Sequence, residues 1–252
     1  MDVEEVVRQL RSAGCVFAED EAALLVAAAT GDDLSALVAR RVAGEPLEPL
    51  LGWAEFCGLR VIVDAGVFVP RRRTALLVHC ALPLLPRPGV FVDLCCGSGA
   101  VALAVRTARP DLEVHAADLD PVQVRCARRN LGSATVHGGD LFAALPTGLR
   151  GRINVITANA PYVPSTEIAL MPTEARDHEP RSALDGGPDG VDLHRRIAAG
   201  ARYWLVPGGQ LLIETSRRQA ALTRAALEVT GFDVRIERDE DLDGTVAVGT
   251  VR

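Results

Sequence analysis

The stretch Ile153-Asn-Val-Ile-Thr-Ala-Asn-Ala-Pro-Tyr-Val-Pro164 organises the rest of the chain. Residues 153–157 are mostly apolar and β-branched, which predicts a buried parallel strand. Pro161 and Pro164 cannot donate to a strand ladder, so the strand has to end before them. Asn159 therefore falls at the carboxyl end of a strand, where open α/β sheets bind their ligands.

The side chains that follow this strand suit a planar nitrogen group. The amide of Asn159 carries one acceptor oxygen and two donor hydrogens, and Tyr162 presents a flat aromatic face beside it. A strand followed by a proline turn, with Asn159 as a simple cap, is the alternative interpretation of the same residues. The neighbouring motifs are needed to distinguish the two.

Composition and charge restrict the classes of function. The 252 residues suffice for one α/β domain with a small appendage, and the apolar runs are too short for a membrane span. All 27 basic residues are arginine, which excludes a Schiff-base lysine, and the net charge of −6 disfavours binding of free nucleic acid. The six cysteines form no C-x-x-C pair, so no metal site is expected. Acidic residues near the start do not fit a signal peptide, and we expect a cytosolic protein without membrane attachment.

The chain is predicted to contain three units. Residues 1–44 form an N-terminal helical unit for substrate recognition, with a lid or a packing appendage as the alternatives, and Asp32 is the N-cap of its third helix. Residues 45–89 contain a hairpin, with Cys57-Gly58 at its turn, and a connecting helix. Residues 90–252 alternate between strand and helix patterns and form the main domain.

A glycine loop opens the main domain. A strand at 90–94 is followed by Cys95-Cys96-Gly97-Ser98-Gly99 and by a helix at 100–108. Glycines let the backbone approach a ligand, and the helix N-terminus offers free N–H groups. The spacing matches neither the dinucleotide fingerprint nor the P-loop. Asp93, just before the loop, would repel a pyrophosphate but suits S-adenosylmethionine, which has a sulfonium and an amino group.

Acids also follow the next two predicted strands. Asp118 ends a strand about 20 residues past the glycine loop, where an acid binds a ribose diol, and Asp120 is predicted to cap the next helix. Asp140 follows the third strand, where it would accept an adenine amino hydrogen while Leu141 and Phe142 cover the ring, with a helix cap as the alternative. Acids at three successive strand ends favour one shared ligand.

The last part of the chain completes the sheet. The long segment 165–190 is rich in paired charges and turn residues, and we interpret it as a wall of the active site. The remaining pattern predicts a helix at 191–206, a turn at 207–209, a strand at 210–214, a helix at 217–230 and a hairpin of strands at 232–237 and 245–251. The whole alternation predicts a seven-stranded α/β sheet.

Six sequence motifs follow one another along the chain from residue 44 onward. They are Gly44-Glu-Pro-Leu, Leu51-Gly-Trp-Ala-Glu-Phe-Cys-Gly-Leu, Val67-Phe-Val-Pro-Arg, Asp93-Leu-Cys-Cys-Gly-Ser-Gly, Asn159-Ala-Pro-Tyr and Glu179-Pro-Arg-Ser-Ala-Leu-Asp-Gly-Gly-Pro-Asp-Gly. As a set they resemble the HemK/PrmC protein-(glutamine-N5) methyltransferases. The resemblance implies a Rossmann-like class I methyltransferase sheet with a small N-terminal helical domain, S-adenosylmethionine as cofactor, and the Gly-Gly-Gln glutamine of a peptide release factor as substrate.

The resemblance also assigns residues by position. The cofactor set is Asp93, Cys95, Cys96, Gly97, Ser98, Gly99, Asp118, Asp140, Leu141 and Asn159, with the glycine loop on the methionine part, Asp118 on the ribose and residues 140–141 on the adenine. The catalytic set, which would hold the substrate amide, is Asn159, Ala160, Pro161 and Tyr162. The family has proline at position 160, and alanine keeps the same backbone carbonyl.

Methyl transfer to an amide nitrogen needs two hydrogen-bond acceptors for the amide rather than a strong base. If the Asn159 side-chain oxygen and the Ala160 carbonyl both accept N–H bonds, they aim the substrate nitrogen at the sulfonium methyl. Positive charge developing on that nitrogen strengthens both bonds in the transition state.

Departures from the family pattern leave other functions open. The family's Pro-Arg-Pro-Glu-Thr-Glu becomes Pro70-Arg-Arg-Arg-Thr-Ala75, Cys95-Cys96 replaces the usual Gly-Thr, and the N-terminal unit is shorter. The alternatives are a nucleobase methyltransferase of the adenine-N6 type, since related motifs hold flipped bases, an N-methyltransferase for a small metabolite or peptide amide, and an S-adenosylmethionine-binding protein without catalysis.

Overall fold

The computed structural model describes residues 1–171 and 173–252. The strands are β1 (Trp53–Phe56), β2 (Leu59–Ile62), β3 (Val90–Leu94), β4 (Glu113–Asp118), β5 (Val136–Gly138), β6 (Ile153–Ala158), β7 (Leu205–Glu214), β8 (Phe232–Asp239) and β9 (Gly244–Val251). The α-helices are α1 (Val3–Ser12), α2 (Ala18–Ala28), α3 (Gly31–Val42), α4 (Leu47–Leu51), α5 (Ala75–Ala81), α6 (Ala100–Ala108), α7 (Pro121–Leu131), α8 (Thr173–His178), α9 (Asp192–Ala201) and α10 (Ala220–Glu228).

Seven of the described strands form one sheet in the order β5-β4-β3-β6-β7-β9-β8. The first five are parallel, and β9 runs antiparallel to both of its neighbours. This confirms the predicted seven-stranded sheet and its closing hairpin. Asp93 on β3 lies opposite Thr157 on β6, and Leu94 lies opposite Ala117 on β4. The carboxyl ends of these three strands are therefore level, which brings the predicted site residues to one edge of the sheet.

The sheet is covered on both faces, as the unbroken apolar runs of its central strands require. Phe91 of β3 belongs to a core shared with α5, α6 and α7, and the next residue, Val92, belongs to a core shared with α9 and α10. All five residues of β3 are buried.

The N-terminal helices have a core of their own. Val6, Leu10, Leu25 and Val38 from α1–α3 are fully buried together. The β1–β2 hairpin turns at Cys57 and Gly58, as predicted, with φ of 51° and 75°. The boundaries between the three predicted units stay a prediction. Among residues 1–171 and 173–252, no helix is long and apolar enough to cross a membrane.

Three predicted details of the secondary structure are wrong. The helix predicted at 191–206 ends at Ala201, and residues 205 and 206 already belong to β7. Asp32 is not the cap of α3, because Thr30 occupies the N-cap position and Asp32 lies in the first turn. The predicted turn at 207–209 lies inside β7, which begins at Leu205 rather than at residue 210. The pairing of β7 with β6 shifts register across this point, so the glycines there form a bulge instead of ending the strand.

Candidate active site

A cavity of about 390 Å³ opens at the carboxyl ends of β3, β4 and β6. Its volume lies in the range of small-molecule sites. Nine of the predicted residues line it: Cys95, Gly97, Asp118, Asp140, Leu141, Asn159, Ala160, Pro161 and Tyr162. Asp93, Cys96 and Ser98 line an adjoining cavity of about 30 Å³, to which Cys95, Gly97 and Asn159 also contribute. The fold thus brings almost the whole predicted set together.

Gly99 is the predicted residue that neither cavity includes. It has a φ of 80°, and a Cβ atom there would lie 2.8 Å from the Leu131 side chain on α7. Position 99 therefore requires glycine for the close packing of the loop against α7 rather than for contact with a ligand.

The glycine loop is held by its neighbours' backbone and by one acid. Cys95 and Gly97 both have left-handed backbone, with φ of 54° and 56°. The Cys96 N–H donates to the Ala117 carbonyl at 3.1 Å, and the Gly97 N–H donates to Asp118 Oδ2 at 2.9 Å. Burial raises the pKa of both cysteine thiols, so they stay protonated. No group of residues in the described part of the chain is arranged to hold a metal ion.

Asp118 is fixed at both oxygens while it faces the cavity. Its Oδ1 accepts the Asp120 N–H at 3.0 Å and its Oδ2 accepts that of Gly97. Burial raises the pKa of Asp118, and these backbone bonds oppose the shift. Asp120 caps α7, as predicted, by accepting the Val122 N–H at 2.7 Å. The exposed side chain of Leu119 lines the cavity between the two acids, an apolar surface that the sequence analysis missed.

The third acid is paired at the rim. Asp140 Oδ2 accepts a bond of 2.6 Å from Arg196, and its side chain makes no capping bond to the turn that follows. The prediction that Phe142 covers a ring in the cavity is wrong, because Phe142 stacks on Trp204 with ring centroids 5.8 Å apart. The Phe142 side chain packs against the apolar core beside α9, whereas Leu141 lines the cavity.

The side chain of Asn159 is oriented by a hydroxyl group that lies 85 residues away in the sequence. Its Nδ2 donates to Thr74 Oγ1 at 3.2 Å, which leaves the side-chain oxygen as the acceptor. Ala160 is buried and lines the cavity. The Tyr162 hydroxyl donates to Glu214 at 3.4 Å, and burial together with the Glu214 charge raises the pKa of Tyr162 to about 12.

The segment 165–190 supplies a wall of the cavity, as predicted, through residues that include Glu179 and Leu184. Gln219 fastens the turn after Asn159 by donating to the Tyr162 carbonyl at 2.7 Å. Val163 exchanges backbone bonds with Leu184 and Gly186, at 3.0 and 2.9 Å. A Cβ on Gly186 would meet the Tyr162 backbone at 2.7 Å, so this glycine is required by close contact.

An ion pair that the sequence analysis missed joins the segment before α5 to the wall formed by residues 165–190. Arg71 donates to Glu179 Oε1 at 2.6 Å, and the Val69 N–H donates to the same oxygen at 3.3 Å. Burial raises the pKa of Glu179 and Arg71 opposes this. The partners lie 108 residues apart, and no local pattern links them.

The residues present fit S-adenosylmethionine. The buried Asp93 accepts the Thr157 hydroxyl at 2.8 Å through Oδ1, while its Oδ2 has no hydrogen-bond partner among the described residues. An ammonium group would satisfy such an oxygen. Asp118 lines the large cavity, where its carboxylate can accept hydrogen bonds from hydroxyl groups.

The chain is similar to known methyltransferases in sequence and fold. Residues 58–176 match the methyltransferase small domain family. A release factor glutamine methyltransferase of Geobacter sulfurreducens is 38% identical over 200 residues, covering 78% of this chain and 69% of that protein. Another, of Bifidobacterium longum, is 33% identical over 270 residues, covering 91% of each. The crystal structure of a methyltransferase from Pyrococcus furiosus shares the fold, with a TM-score of 0.57 and 16% identity over 77% of this chain and 90% of that one.

Proposed function

Since the chain belongs to the family of release factor glutamine methyltransferases, we propose that it methylates the side-chain amide nitrogen of a glutamine in a peptide release factor. The chain is a methyltransferase, and its methyl donor is S-adenosylmethionine. The reaction takes place in the cytosol, and the acceptor is the Gly-Gly-Gln glutamine.

One observation carries the proposal. The amide of Asn159 is held with its nitrogen toward Thr74, so that its oxygen is free to accept a bond from a ligand. Asn159 lines both the large cavity and the small one beneath the glycine loop. An acceptor amide bound to Asn159 would therefore sit next to the donor's methionine part, where transfer requires it.

The residues of the chain act by positioning. When bound, S-adenosylmethionine supplies a methyl group activated by its sulfonium. Asn159 Oδ1 and the Ala160 carbonyl accept the two hydrogens of the substrate amide and hold its nitrogen in line. Their bonds strengthen as that nitrogen gains positive charge, which lowers the barrier without a strong base. The methylated nitrogen then loses its surplus proton to solvent as the product leaves. Tyr162 and Pro161 close the acceptor side against water.

We assign the donor side to residues 93–99 with Asp118, Asp140 and Leu141. Asp118 would bind the ribose diol, while Leu119 adds apolar surface beside it. The helices at 1–44 would recognise the protein acceptor. What supports that role is an exposed apolar pair, Val16 and Phe17, at the turn between α1 and α2, where Val16 is 83% and Phe17 68% exposed.

The test is methyl transfer to intact release factor with isotopically labelled S-adenosylmethionine. We expect one methyl group on the Gly-Gly-Gln glutamine, located by mass spectrometry of the digested acceptor. A release factor with that glutamine replaced by glutamate is the matched control and should stay unlabelled. Label that appears only in nucleic acid, or only in small amides of a cell extract, would overturn the proposal.

A further inference from the structure

The side chain of Gln123, on α7, fastens a segment of the chain that the mechanism above does not use. Gln123 is 3% exposed and lines the large cavity. Its Oε1 accepts the Phe68 N–H at 3.2 Å, and its Nε2 donates to the Gly66 carbonyl at 3.0 Å. One buried amide thus satisfies a backbone donor and a backbone acceptor that lie 55 and 57 residues away in the sequence.

The segment held in this way reaches the point where the two cavities meet. Residues that line both cavities are Phe68, Cys95, Gly97 and Asn159. Val67 and Val69, on either side of Phe68, are each 2% exposed and belong to a separate apolar core, so the Phe68 side chain is left for the cavities. A Cβ atom on Gly97 would lie 4.0 Å from the Phe68 Cβ, so this side chain also faces the glycine loop.

Under the proposed function, methyl transfer takes place at this junction. The small cavity takes the methionine part of the donor, and Asn159 holds the acceptor amide, so the methyl group passes between them beside Phe68. Residues 63–71, which the structure describes throughout, belong to neither a helix nor a strand. Their backbone groups therefore need other partners to be held in place, and Gln123 supplies two of these bonds.

We propose that Gln123 is a positioning residue for methyl transfer, which acts by holding Phe68 at the junction of the two cavities. Phe68 contacts the transferring methyl group and keeps it in line between donor and acceptor. The spectroscopic tests use only the free protein and the methyl donor, whereas the kinetic test rests on the proposed function. A failure of the inference and a failure of the proposed function therefore give different results.

The first test shows whether Gln123 holds Phe68 in solution. The chain has six phenylalanines, so selective ¹⁵N labelling gives six backbone amide signals, and Phe68→Leu identifies that of Phe68. Gln123→Met removes the acceptor at similar size and should shift this signal. Arg129→Met is the matched control, because Arg129 joins α7 to Asp64 of the same segment by an ion pair at the surface, and it should shift the signal much less. An unchanged Phe68 signal in Gln123→Met would overturn the inference.

The second test locates Phe68 relative to the methyl group. S-adenosylmethionine with ¹³C in its methyl group gives a signal in the bound state that an adjacent aromatic ring displaces. Phe68→Leu should move this signal, and Gln123→Met should move it toward the Phe68→Leu position, while Arg129→Met should leave it in place. A bound methyl signal that responds to neither Phe68→Leu nor Gln123→Met would overturn the inference, even if the enzyme methylates its acceptor at the normal rate.

The kinetic test separates positioning from folding. With saturating donor, Gln123→Met should lower kcat about tenfold, because a small misplacement of a group that aligns the reactants has a large effect on rate. Gln123→Glu keeps an acceptor oxygen for the Phe68 N–H and should recover part of the loss. In a Phe68→Leu background, Gln123→Met should cause no further loss, since both substitutions remove the same contact. A full additional loss in that background, or an equal loss in Arg129→Met, would contradict a role through Phe68.

Discussion

The two sides of the cavity are built in different ways. On the donor side, Asp118 is held by backbone N–H groups of Gly97 and Asp120, which lie 21 and 2 residues away. On the acceptor side, Asn159 and Tyr162 are held by the side chains of Thr74 and Glu214, across 85 and 52 residues. The donor side uses backbone N–H groups, which every residue except proline carries, whereas the acceptor side uses groups that only certain side chains carry.

This difference sets how each side tolerates substitution. Backbone donors remain when side chains change, so the glycine loop can carry Cys95-Cys96 and still present its N–H groups. A side-chain network loses a bond whenever one member is replaced, and the remaining members can re-pair. We therefore expect acceptor-side substitutions to affect catalysis and donor-side substitutions to affect cofactor affinity.

Asn159→Ala should give the largest effect and tests the acceptor side directly. It removes a bond that strengthens in the transition state, so kcat should fall at least about 10²-fold. Cofactor affinity should stay nearly unchanged, because the donor side keeps its own bonds. Steady-state kinetics and calorimetry with S-adenosylmethionine measure the two quantities.

Asn154→Ala is the matched control for that variant. Asn154 lies at the opposite end of the same strand and bonds the Val90 N–H at 2.8 Å, so its loss should affect stability and leave kcat intact. Comparable activity in Asn159→Ala and wild type would remove Asn159 from the mechanism. A large loss of cofactor affinity in the same variant would show that the two sides do not separate.

Asp118→Ala should give the next largest effect, on the donor side. The carboxylate would bind two ribose hydroxyls, and a hydrogen bond to a charged group contributes about 1.5–3 kcal/mol. We expect the dissociation constant for S-adenosylmethionine to rise roughly 10- to 100-fold, since one such bond corresponds to about a factor of ten or more. With saturating donor, kcat should recover to near the wild-type value.

The control is Asp111→Ala, a surface change just before the same strand, where the carboxylate pairs with Arg109 at 2.7 Å. Its affinity for the donor should equal that of wild type. If Asp118→Ala instead lowers kcat at saturation as strongly as Asn159→Ala, then the donor side also positions the reacting groups, and the contrast between the two sides fails.

The same contrast explains what could be predicted from sequence. The sheet and the acids at its strand ends follow from local patterns, because Asp118 and the glycine loop lie next to the strands that position them. The Arg71–Glu179 pair and the Tyr162–Glu214 bond could not be predicted, because their members lie on segments that meet only in the folded chain. Phe142 was misplaced for a related reason, since its environment is decided by Trp204, 62 positions later.

Asp93 tests the contrast through stability instead of activity, because it is a donor-side residue bonded by a side chain, the Thr157 hydroxyl on β6. Burial raises the pKa of Asp93 from 3.8 to about 7. Between these values the folded chain holds a proton that the unfolded chain has lost, so this residue's contribution to stability falls as pH rises. Asp93→Asn removes that dependence.

The Tm of Asp93→Asn relative to wild type should therefore increase from pH 4 to pH 7, by roughly 2–4 °C for each kcal/mol. The comparison cancels the other buried acids, which both proteins share. Saturating S-adenosylmethionine should reduce the difference near pH 7, because an ammonium beside Asp93 stabilises its charged form. If the donor raises the Tm of both proteins equally at every pH, the unpaired Oδ2 of Asp93 does not contact the ligand, and Asp93 is not part of the donor site.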